Sequence, residues 1–73
     1  MKILSVETVG GAPAATIKVD GTVYKDCRVG DVLSTTWGQI KILDLSVTSR
    51  VVTLLHEGEV LWLEAGQVVH EWP

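Results

Sequence analysis

Apolar residues in this chain recur every second position or in short runs, and nowhere hold an i, i+3, i+4, i+7 spacing long enough for a helix. The pattern therefore predicts an all-β protein. Lys2-Ile-Leu-Ser-Val-Glu-Thr-Val9 reads as a first strand, stopped by Gly10-Gly11 and by Pro13, which cannot donate to a ladder. Ala15–Val19 and Thr22–Lys25 are β-rich runs joined by Asp20-Gly21, the dipeptide of a two-residue type I′ turn. Arg28-Val29-Gly30-Asp31 turns the chain, and Ser34-Thr-Thr-Trp-Gly38 reads as a loop before a strand over Gln39–Ser46. Thr48 and Ser49 link that strand to Arg50–His56, which returns through Glu57-Gly58 into Glu59–Glu64. Ala65-Gly66 breaks the pattern, and Val68–Trp72 reads as a last short strand.

Six or seven short strands with tight turns in 73 residues make a single β-domain, residues 1–73, shaped as a small antiparallel barrel or sandwich of SH3-like size. The strands differ in what they cover. Ala15, Ile17 and Val19 alternate with Thr16 and Lys18, so that strand has one wet face. In contrast, Ile40, Ile42, Leu43 and Leu45 change phase midway, while Val51, Val52, Leu54, Leu55 and Val60–Leu63 are apolar on both faces. Such strands are buried twice or bulged. A domain this small has too few atoms to cover both faces of three strands, so a surplus apolar face predicts a partner surface or self-association unless loops and the Trp72 tail fold over it.

Composition and charge narrow the function. The chain is 47% hydrophobic with no Phe and three Trp, which requires an aliphatic core and excludes disorder. All six basic residues lie in the first 50 positions, and the last 23 carry four Glu, a charge of −4. Basic residues spread singly among acids, followed by an acidic third, exclude a nucleic-acid surface. No run of 18 apolar residues exists, so no membrane insertion by this segment is expected. Met1-Lys2-Ile3-Leu4 leads into alternation rather than into a signal-peptide apolar region, which predicts either a cytoplasmic protein or a domain of a longer chain.

Chemistry is sparse. His56 and His70 stand near Glu57, Glu59 and Glu71, but no third ligand has local spacing, and solvated strand-end histidines are the expectation, with no metal and no cofactor. Cys27 lies in an apparent strand with no turn to make an oxyanion hole, and reads as a small buried hydrophobe. No glycine-rich run ends in Lys-Ser or Lys-Thr, so a phosphate loop is absent. The expectation is therefore a protein without catalytic residues. Trp37, in a polar loop, and Trp62 are candidate partner anchors, because aromatic residues concentrate at interface hot spots.

The order Asp20-Gly-Thr-Val-Tyr24, Arg28-Val-Gly-Asp-Val-Leu33, Gly38-Gln-Ile-Lys-Ile42 and Arg50-Val-Val-Thr-Leu54 resembles the periplasmic homology domain shared by component C of type II secretion systems and the pilus assembly lipoprotein P of type IV pili. The resemblance covers residues 15 to 63. The segment 23–29 is one residue longer than the family pattern, so a β-bulge is expected at Asp26 and Cys27. The resemblance implies a non-catalytic docking module, a periplasmic domain of an inner-membrane protein, with the outer-membrane secretin or another envelope component as partner. The expected docking edge is the hairpin 15–25, with Thr16, Lys18 and Tyr24 as candidates, and Val51, Leu55 and Trp62 mark the alternative apolar surface. A competing expectation is a free-standing, phage-type SH3-like barrel in the cytoplasm that self-associates through the doubly apolar strands.

Overall fold

A computed structural model describes residues 1–69. It is all-β: β1 (Lys2–Val9), β2 (Ala12–Val19), β3 (Thr22–Cys27), β4 (Val32–Thr35), β5 (Gly38–Ser46), β6 (Val51–His56) and β7 (Glu59–Glu64). Each strand pairs antiparallel with its chain neighbour, in one sheet of order β1-β2-β3 and another of order β4-β5-β6-β7. The body is 21 × 19 Å in cross-section, which accommodates two sheets about 10 Å apart. It is a barrel-like sandwich rather than a closed barrel, with β2 facing β5 and β1 facing β6. Ile3, Ile17, Val19, Ile40, Ile42, Val52 and Leu54 are the most deeply buried side chains of the core between them.

Turn chemistry sets the register. Asp20 and Gly21 take φ of 47° and 84°, and Glu57 and Gly58 take 51° and 76°. These left-handed pairs are what a type I′ turn demands, and they fix Val19 opposite Thr22 and His56 opposite Glu59. Three register shifts separate the regular stretches. They fall at Leu4, at Lys25-Asp26 with Asp26 at φ 55°, and at Leu43. Each lies where inward-facing residues are three apart, Ile3 to Val6, Tyr24 to Cys27 and Ile42 to Leu45; a bulge restores the inward phase that a two-residue period would lose.

Several expectations change. Ser34 and Thr35 belong to strand β4 rather than to a loop, because Leu33 is the only β4 side chain packed against the core and one inward residue leaves almost no periodic signal. Pro13 lies inside β2, opposite Thr8. Pairing with β3 stops at Ala15, so this end of β2 has a ladder on one side only, which a proline tolerates. Arg28 caps the unpaired stretch, its Nη1 donating to the carbonyls of Ala12 (2.8 Å) and Pro13 (3.2 Å). Arg50 sits in the β5–β6 turn at φ 57° instead of opening β6.

The chain after β7 crosses to the other sheet. Gly66 N–H donates to the Ile3 carbonyl (2.7 Å), Val69 N–H to the Met1 carbonyl (2.7 Å), and Val68 bridges Lys2. These bonds cover the outer edge of β1. Of the last expected strand, Val68 forms this single bridge; His70, Glu71 and Trp72 lie outside the described residues.

Candidate docking face

The four-stranded sheet has its inner face filled by Ile40, Ile42, Leu45, Val52, Leu54 and Leu63. Its outer face carries the residues of opposite parity. One row runs Val32, Lys41, Leu55, Val60 across all four strands, and the next runs Asp44, Thr53, Trp62. Val32 is 53% exposed, Val60 37% and Trp62 67%. Leu55 and Val51 are half-buried. Around Leu55 and Lys41 the sheet and the Glu57-Gly58 turn enclose a shallow hollow of about 500 Å3. A Trp left in water forfeits most of the burial free energy that an indole contributes, so an exposed Trp beside exposed Val is an unspent apolar surface. Its β7 side is acidic, with Glu57, Glu59 and Glu64 all exposed; the basic residues near it are Lys41, within the row, and Arg50, whose carbonyl accepts the Ala65 N–H beyond Glu64 (2.9 Å).

The other sequence candidates fall elsewhere. Trp37 is 6% exposed, not a surface anchor: the turn that carries it is polar, but the indole folds under into the core. Thr35 holds that turn, its Oγ1 accepting the Trp37 N–H (3.0 Å) and donating to the Gly38 carbonyl (2.8 Å). The same ring lies 5.8 Å from the His56 imidazole, and His56 Nε2 donates to the Trp37 carbonyl (2.7 Å), so this histidine is half-buried and bonded rather than solvated. Thr16 and Lys18 stand on β2, the central strand of its sheet, and so present side chains but no free edge. Within the expected docking hairpin only β3 lies at an edge, and there Tyr24 is half-buried and donates to the Ser34 carbonyl (3.2 Å), tying β3 to β4.

Cys27 is 3% exposed, and its Sγ donates to the Tyr24 carbonyl (3.3 Å). Burial, and then the nearby carboxylates of Asp31 and Asp26, push its thiol above the ordinary range, which keeps it protonated and unreactive. Alkylation by iodoacetamide at pH 8 is therefore expected to be at least about tenfold slower in the folded protein than in urea. Equal rates would place Cys27 outside the core. Among the described residues no group of three or more His, Cys, Asp or Glu is arranged to hold a metal ion. Among the described residues no helix is long and apolar enough to cross a membrane.

Comparison with protein-family models, with characterised proteins and with solved structures gives no match.

Proposed function

We propose that this chain is a non-catalytic docking module that binds a protein partner through the outer face of β4–β7. The observation that carries the reading is Trp62: it is 67% exposed and adjoins the row of Val32, Leu55 and Val60, while the core is complete without them. Aromatic residues in such a setting supply most of the binding energy when covered. The resemblance of residues 15–63 to the secretion and pilus homology domain supports an envelope adaptor whose partner is the secretin. The buried, protonated Cys27 and the bonded His56 support a role without nucleophilic or acid–base chemistry.

The test is co-purification with the N-terminal domains of the same organism's secretin. Trp62→Ala is expected to weaken binding by about 30-fold or more, the loss of roughly 2 kcal/mol typical of an aromatic hot spot, with thermal stability unchanged because this indole packs on little of its own chain. Wild-type affinity in that variant would contradict the reading. The same apolar row also suits contact with a second copy. Sedimentation at a multiple of 7.9 kDa, lost in Trp62→Ala, would assign the face to self-association.

A further inference from the structure

Beside this face lies an open backbone edge. His56 and Glu59 flank a two-residue turn, so in β7 residues 59, 61 and 63 direct their N–H and C=O groups toward β6, and residues 60, 62 and 64 direct theirs away. Glu64 is already satisfied, its N–H donating to Gln67 Oε1 (3.0 Å) and its carbonyl accepting the Gln67 N–H (3.0 Å). Among the described residues, the outward groups of Val60 and Trp62 have no partner, and β7 ends its sheet. The outer edge of β1, to which the chain crosses directly after β7, is treated differently, since residues 66–69 bond along it.

From this edge we infer that the partner is received as an added antiparallel strand along β7, and that the strand is basic at its ends and aliphatic between. The inference rests on the docking reading of this sheet and specifies the occupant. Charge decides between occupants. Glu59 and Glu64 stand about 17 Å apart at the two ends of β7, Glu57 lies in the adjoining turn, and β7 itself carries no basic residue, the nearest in the chain's path being Arg50, whose carbonyl accepts the Ala65 N–H. Two copies of this strand would bring acid toward acid; a basic segment gains at each end. Alternation fixes the pattern further. Partner residues opposite Trp62 and Val60 share the outer face with them and are apolar, and the residues opposite Glu64 and Glu59 are Arg or Lys. Read from its N-terminus, the strand is basic, any, aliphatic, any, aliphatic, basic.

The probe is the capped peptide Arg-Thr-Val-Thr-Val-Lys, titrated into the full chain labelled with 15N. Expected are slowed hydrogen exchange at the Val60 and Trp62 amides, at least about tenfold weaker binding in the Glu59→Lys/Glu64→Lys variant, and loss of binding when the peptide's end residues are Glu. Absence of binding at about 1 mM peptide overturns the inference. So do amides at 60 and 62 that exchange slowly before peptide is added, and so does concentration-dependent self-association that protects them, which would make the occupant a second copy. Shifts at Thr53 and Leu55 without amide protection overturn strand addition while leaving the docking face in place.

Discussion

Replacing Leu54 with Ala is expected to remove about 3 to 4 kcal/mol of stability and to lower Tm by roughly 15 to 25 °C. Leu54 is fully buried in β6, opposite Ile42 of β5 and Leu61 of β7, so the inner face of the four-stranded sheet meets around it. A domain of this length has only roughly 4 to 11 kcal/mol in all. The variant is therefore close to unfolding at 37 °C. Leu55 is the control: one residue along, on the outer face and half-buried, its truncation is expected to cost about 1 kcal/mol. Denaturant unfolding of both variants measures the difference. Equal losses would mean that the inner and outer faces of β6 are wrongly assigned.

Gly21→Val is expected to cost about 2 to 3 kcal/mol by thermal or denaturant unfolding. Gly21 occupies φ 84° in the β2–β3 turn, and a Cβ there would meet nothing within 4 Å. The penalty is then one of backbone conformation alone, since a β-branched residue resists the left-handed region. Gly21→Asn separates conformation from bulk, because Asn tolerates that region and is expected to lose no more than about 1 kcal/mol. An unchanged midpoint in Gly21→Val would contradict the type I′ hairpin on which the register of the three-stranded sheet depends.

How much of this was legible in the residues follows from physical period. The hairpin at Asp20-Gly21 could be read because that dipeptide favours left-handed backbone, and the one at Glu57-Gly58 because of its glycine; the strands they join have the expected bounds to within two residues except β2, which starts at Ala12, three residues before the expected Ala15. The bulge at Asp26 agrees with the extra residue in segment 23–29, and that at Leu43 with the change of phase between Ile42 and Leu45. The bulge at Leu4 carries the same spacing, Ile3 to Val6, and that spacing is the signal by which it can be found. Strand β4 escaped because an edge strand with a single inward side chain has no period to detect. Trp37 misled because neighbouring polarity describes where a turn's backbone lies, and a long side chain reaches back from there into the core.

The candidate docking face was half legible. Doubly apolar strands announce surplus surface, and Val51, Leu55 and Trp62 do lie on the outer side of the sheet. Which strands become sheet edges, and which of those the chain itself covers as residues 66–69 cover β1, depends on long-range closure, and no local pattern encodes it. Hairpin 15–25 looked edge-like because Thr16 and Lys18 are wet, yet a wet face and a free edge are different properties: β2 has the first and, as a central strand, lacks the second.

On the proposal made above, the outer face of β4–β7 meets a protein partner. The most direct test is a photoreactive amino acid placed at Trp62 and, as a control, at Lys18 on the outer face of the other sheet, irradiated in the native cell. Expected is a discrete adduct from position 62, identified by mass spectrometry as one protein that also co-purifies with the wild-type chain, and none from position 18. Adducts of the same kind from both positions, or none from position 62, would contradict it.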